Sequence, residues 1–243
     1  MKKGFVRGLW GVYDNSHRIL KRRAYTDQWL RRISENKYNP EFQTYVFGEE
    51  NQQCLKRYGI DSILIDKNPA FFDGVTACHR TKLEVMKYAM IEDGYDEVVF
   101  MDWDVIPYKK LPDDTWDHFA KKDIIQACLQ QYKNPRSWHR ENEPRKCPNG
   151  GFLYTRGEKP LLDIIKEWEK QPDMSMEPAL SKAIDNLSGG WQGREYYWSH
   201  FEIDFCNLHR GSAHPKEIRQ TKHEYMVHYQ GQLAKGEKIR VEE

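Results

Sequence analysis

The chain has 243 residues, with 38 Lys+Arg against 37 Asp+Glu and a formal net charge of +1, so charge alone names no partner. Hydrophobic residues make up only 39%, yet 8 Trp, 14 Tyr and 10 Phe supply bulk for a core and argue against a disordered chain. No run approaches the roughly 20 apolar residues of a bilayer span and 1–15 holds no signal-peptide core, so one domain, no transmembrane segment and a cytoplasmic location are expected.

In chain order, the apolar pattern predicts a strand over 5–12, a helix over 25–33, a strand over 42–47, a short helix over 51–58 and a strand over 60–65. Leu83, Met86 and Met90 then recur at spacings of three and four, which makes 75–91 an amphipathic helix that Gly94 can end. A strand follows over 97–101. The second half reads as a strand over 124–129, a polar loop over 131–148, a strand over 151–154 and a helix over 160–169. A Gly-rich break over 188–193, aromatic-rich segments and a last strand over 225–229 complete it. This βα alternation predicts a mainly parallel sheet covered by helices on both faces, with ligands bound beyond the carboxyl ends of the strands. No internal repeat or linker divides the chain. Cys54, Cys78, Cys128, Cys147 and Cys206 are odd in number and scattered, with no Cys-x-x-Cys pair. Reduced, mostly buried thiols are therefore expected, not disulfides or a zinc knuckle.

The sharpest local signal is Val98-Val99-Phe100-Met101-Asp102-Trp103-Asp104-Val105-Ile106-Pro107. Asp-x-Asp is common in solvated turns. Here the two acids directly follow an apolar strand, where they repel each other unless a cation lies between them, and carboxylate oxygens there suit a hard divalent ion bridging to phosphate.

FMDWDVIP resembles the Asp-x-Asp signature of nucleotide-sugar-dependent glycosyltransferases with the GT-A fold. The later Met226-Val227-His228-Tyr229-Gln230-Gly231-Gln232-Leu233-Ala234-Lys235 is similar to the His-x-x-Gly-x-x-Lys closing motif of glycogenin-like and lipopolysaccharide galactosyltransferase-like families, with the lysine one residue later. The resemblance implies a single-domain, Rossmann-like α/β/α sandwich over 1–243, with a nucleotide-sugar-binding half at 1–107 and an acceptor-binding half at 108–243. It implies metal-dependent transfer of a hexose from a nucleoside diphosphate donor, UDP-linked, to a hydroxyl of a saccharide or glycolipid. Asp102, Asp104 and His228 would bind the metal, Asp102 also touching ribose, and the imidazole tilts the ion toward Mn2+ over Mg2+. Gly231 and Lys235 would hold the diphosphate, with Arg80 or Lys82 as alternatives to the lysine.

Around the first strand, Gly8, Leu9, Trp10, Tyr13 and Asp14 are candidates for the nucleoside, since an aromatic ring can stack on a base and Asp14 can accept from a ring edge or ribose. Asp66 is a second such candidate, although 66–69 also reads as a turn. Cys147-Pro148-Asn149-Gly150-Gly151-Phe152 looks like the family's Asn-x-Gly element, in which glycines let backbone approach the donor sugar. Glu202 and Asp204 sit among aromatics, where burial raises a carboxylate pKa, and either is a candidate base toward the acceptor hydroxyl if the reaction inverts.

Basic residues gather at His17, Arg18, Lys21, Arg22, Arg23, Arg31 and Arg32, and at Lys133, Arg136, His139, Arg140, Arg145 and Lys146. They read as a solvated surface or as a site for a polyanion. The second option allows another acceptor, hydroxymethylated pyrimidines in modified DNA. A nucleotidyltransferase also uses sheet-edge acids and a divalent ion, but Gly8-Leu9-Trp10-Gly11 is a poor phosphate loop. An inactive sugar-nucleotide-binding module is the remaining alternative.

Overall fold

A computed structural model describes residues 1–10, 29–65, 75–119, 121–131, 146–170, 176–190, 198–200, 206–208 and 225–228. The first strand, β1 (Lys3–Leu9), starts and stops earlier than the pattern suggested. Trp10 already lies past its end. A helical segment at 29–34, α1, leads through Asn36 and Asn39 turns to β2 (Phe42–Phe47). Gly48, at φ 86, turns the chain into α2 (Glu49–Lys56), whose first turn carries Glu49 and Glu50 where the helix dipole favours acids. β3 (Ile63–Ile65) is shorter than expected. Helix α3 (Val75–Ile91) and β4 (Glu97–Met101) match their sequence periodicities. Gly94 has φ 70, and the Tyr95 N–H donates back to the Ala89 carbonyl at 3.1 Å, a glycine-dependent helix end.

The second half is more regular than its polarity suggested. After β5 (Val105–Pro107) and a 3-10 turn (Thr115–His118), β6 (Ile125–Gln131) and β7 (Lys146–Arg156) form an antiparallel pair. Gln130 and Gln131 register with Cys147 and Lys146, so both ends of the predicted polar loop are strand. A ladder is held by backbone groups, and polar side chains do not prevent it. Helices α4 (Lys159–Glu169) and α5 (Met176–Leu187) follow, then three-residue strands β8 (Trp198–His200), β9 (Cys206–Leu208) and β10 (Met226–His228).

Among the described residues, seven strands form one sheet in the order β3-β2-β1-β4-β7-β6-β8, all running one way except β7. The sheet is therefore mixed and mainly parallel. A smaller sheet, β5-β10-β9, lies beside it, with β10 antiparallel to β5 and parallel to β9. All five residues of β4 are buried, the mark of a strand covered on both faces. Val98 and Phe100 face a core with Leu83 and Met86 of α3, Ile164 and Trp168 of α4, and Leu180 of α5. Val99 and Met101 face Phe5, Val105, Phe152 and Met226 on the other side. Farther along that side, Leu9 and Val46 pack against Leu30 of α1 and Cys54 and Leu55 of α2. Cys54 is a free, buried thiol, and among the described residues no helix is long and apolar enough to cross a membrane.

Candidate active site

At the carboxyl end of β4 the chain turns sharply through Asp102-Trp103-Asp104 into β5. The Asp102 N–H donates to Gly151 of β7 at 2.9 Å, and the Val105 N–H donates back to the Asp102 carbonyl at 3.1 Å. Asp104 is buried and Asp102 half-buried. The register of β10 on β5 sets His228 opposite Val105, which carries its buried imidazole to the same corner from far downstream. His228 Nε2 lies 3.2 Å from Asp104 Oδ1 and 3.8 Å from Asp102 Oδ2. One ligand atom from each of the three residues falls within 4.8 Å of the others.

Cations already crowd this corner. Lys82 of α3 pairs its ammonium with Asp102 Oδ2 and donates to the Gly150 carbonyl at 3.2 Å. Arg7 of β1 is 1% exposed, its guanidinium 3.7 Å from the Phe42 ring centroid and 3.5 Å from the Val105 carbonyl. Burial lowers its pKa to about 9, and the charges of Asp102 and Asp104 oppose that fall. For His228, burial favours the neutral ring, but the carboxylates of Asp104 and Asp102 outweigh it and raise its pKa. Two carboxylates and an imidazole are a donor set that Mn2+ or Mg2+ accepts, and the ammonium resting on Asp102 marks a position where positive charge is welcome.

The neighbouring elements hold these groups in place. Trp103, between the two acids, donates its indole N–H to the Gly8 carbonyl at 2.6 Å and so ties the corner to the end of β1. Register between β6 and β7 slips after Ala127↔Leu153 to Cys128↔Asn149, a bulge that frees Gly150 and Gly151 from β6 at the site. A Cβ on Gly151 would lie 2.3 Å from His228 Cε1, so only glycine lets the ring seat there. Asn149 Oδ1 accepts the Gly151 N–H at 2.9 Å and lies 3.0 Å from His228 Nδ1.

Of the residues singled out from sequence, Asp102, Asp104, His228, Lys82, Asn149 and Gly150 come together. Arg80 does not join them: it is buried toward Glu84 and Glu169, each at 3.9 Å. That separates it from Lys82, its alternative. Gly8 is buried in β1, where Val85 and Trp10 side chains fill the space its own would need, and Trp10 packs on the main core. Tyr13, Asp14, Asp66, Glu202, Asp204, Gly231 and Lys235 lie outside the described residues, as do 132–145 of the second basic cluster. Arg7 and Trp103 were not singled out as site residues, and Gly151 was read as backbone beside the donor sugar, not as the seat of the His228 ring. An arginine inside an otherwise apolar strand was the available signal for the first.

A mainly parallel sheet with an acid pair at the carboxyl end of a central strand, met by a histidine from the end of the chain, defines a glycosyltransferase of the GT-A fold. Residues 82–241 match the nucleotide-diphospho-sugar transferase family, and the chain belongs to that family. Solved structures that share the fold include the following three. Mouse xyloside xylosyltransferase 1 in its apo form is 10% identical, with 95% of this chain and 98% of that one covered at a TM-score of 0.59. The galactosyltransferase LgtC in complex with donor and acceptor sugar analogs is 15% identical, with 93% and 86% covered at 0.56. A glycosyltransferase involved in glycosylation of the major capsid of PBCV-1 is 12% identical, with 95% and 94% covered at 0.52. No curated protein sequence matches the chain.

Proposed function

We propose that this glycosyltransferase moves a hexose from a UDP-linked donor to a hydroxyl of a saccharide or lipid-linked glycan, and that Asp102, Asp104 and His228 hold a divalent ion, Mn2+ in preference to Mg2+. The convergence of two strand-end carboxylates and a distant buried imidazole on one point carries this reading. Bound there, the ion supplies charge neutralisation for the leaving diphosphate, as Lewis acid and template. The chain's own groups do the rest. Asp102 and Asp104 fix the donor end of the site, Asp102 also accepting from ribose. Lys82, beside Asp102 and the Gly150 carbonyl, donates to diphosphate oxygens, together with Gly231 and Lys235. Tyr13, Asp14 and Asp66, which follow the first and third strands in sequence, frame the nucleoside. Asn149 and Gly150 line the sugar, and Glu202 or Asp204 takes the acceptor proton in an inverting reaction. In this reading 1–243 is one domain, with donor contacts mainly in 1–107 and acceptor contacts in 108–243, and His228 crosses from the second half to complete the first.

Asp104→Ala tests the assignment. Turnover of a UDP-hexose should vanish while the circular dichroism spectrum is unchanged; normal activity of the variant in excess Mn2+ refutes the metal role.

A further inference from the structure

We infer that Asn149 is a positioning residue: its amide oxygen accepts from His228 Nδ1–H, which orients the ring so that Nε2 is the atom presented to Asp102, Asp104 and the cation they would hold. This inference rests on the reading that these three residues bind a cation. Asn149 sits at the β6–β7 slip and is 1% exposed, so its amide answers to protein neighbours. The Gly151 N–H reaches it at 2.9 Å, and a backbone N–H only donates, so the atom it meets is the oxygen. His228 Nδ1 lies 3.0 Å from that same oxygen. An unprotonated Nδ1 would set lone pair against lone pair, so Nδ1 carries the proton.

The other ring nitrogen is thereby left for the acids. Nε2 is the atom 3.2 Å from Asp104 Oδ1: without a cation it donates to that carboxylate, and a cation that displaces its proton would find Nε2 as a ligand while Nδ1 keeps its bond to Asn149. Gly151 completes the seat from the side, since a Cβ there would lie within 2.8 Å of three ring atoms. The amide therefore fixes which nitrogen faces the acids, and the bare Cα fixes where the ring lies. An outer partner of a ligating histidine is worth about 10–100-fold in metal affinity. This duty differs from a contact with the donor sugar: it operates with no nucleotide present.

Two readouts on the full chain test it without turnover. One is the 15N–1H correlation pattern of the His228 imidazole in the protein saturated with diamagnetic Mg2+, where the cation holds Nε2. The other is Mn2+ binding in the absence of nucleotide, followed by water-proton relaxation. Wild type should show the Nδ1–H pattern. Asn149→Ala should shift it toward Nε2–H and weaken Mn2+ by about 10–100-fold, whereas Asn149→Asp, whose carboxylate also accepts from Nδ1, should keep both. An Nε2–H pattern in wild type overturns the inference even if a variant fails to fold, and so does Asn149→Ala with unchanged tautomer and Mn2+ affinity. If wild type and His228→Ala bind Mn2+ equally, the metal reading fails, while the ring spectra still decide what Asn149 does.

Discussion

Arg7 shows how the acid pair is tolerated inside a folded chain. An isolated buried guanidinium is costly, and its Nε has no hydrogen-bond partner among the described residues. What offsets part of the cost is the field of Asp102 and Asp104, together with the Phe42 and Trp103 rings at 3.7 and 5.4 Å. The dependence is mutual: Arg7 joins Lys82 and His228 in countering the repulsion of the two carboxylates. Arg7→Met, which keeps the length and loses the charge, should therefore leave the acids more repulsive and lower the Tm of the metal-free protein. Saturating Mn2+ should restore part of that loss, so that the Mn2+-induced rise in Tm is larger in the variant than in wild type. Melting curves with Mn2+ and with chelator decide the matter, and an equal Mn2+ gain in both proteins contradicts it. Little of this was legible in the sequence: the arginine stands out in an otherwise apolar strand, but its partners lie about a hundred positions away. The acid pair was legible because its signal is local: two carboxylates at the end of an apolar run. His228 was found only through the resemblance of its motif, and Trp103 was passed over because its bond to Gly8 spans 95 positions.

Among the elements, length and period decided what could be read. α3, β2 and β4 kept their predicted bounds, since each is long enough to show a period or a continuous apolar run. The three-residue strands β5 and β9 are too short to show either, and the small sheet that delivers His228 was invisible for that reason. α5 was missed because much of its buried face is small, with Ala179 and Ala183 beside Leu180 and Ile184. Its burial becomes apparent only against α4, whose Leu161, Ile164, Ile165 and Trp168 form one apolar face. A polar clamp joins the two helices: Glu167 of α4 accepts from Asn186 of α5 at 2.7 Å and pairs with Lys170. The hydrogen bonds from Lys170 and then Asn186 hold the Glu167 carboxyl below its ordinary 4.5. A carboxylate depressed in the folded state stabilises above its unfolded pKa, and the contribution is lost as pH falls through the folded value. Glu167→Gln should thus lower Tm at pH 7, with the gap to wild type closing as pH falls below about 4.5. Thermal melts from pH 7 to pH 3 measure this, and a constant gap contradicts the clamp.

For the whole molecule, the βα rhythm predicted a mainly parallel sheet, but not that β7 would run against its neighbours between β4 and β6. That reversal sets the Asn149–Gly151 segment against the acid corner, and the return of β10 onto β5 adds the histidine. The site is thus closed by segments from both halves of the chain, and its ligands should report on the stability of the whole. Without a cation Lys82 stays paired with Asp102 and is not free to meet a nucleoside diphosphate. A divalent ion at the acids would add two positive charges and release Lys82 to donate to the diphosphate. A UDP-hexose at about 100 times its Kd should then add about 2.7 kcal/mol to stability, which for a chain of this size is a Tm rise of roughly 5–10 °C. The same donor in chelator, or with Asp104→Ala in Mn2+, should give little or no rise. The product separates the chemistries, since sugar transfer releases UDP and nucleotidyl transfer would release pyrophosphate. An equal Tm rise with chelator, or pyrophosphate as the product, would sink the metal-dependent hexosyl-transfer reading at once, because the first removes the cation and the second removes the sugar as the group that moves.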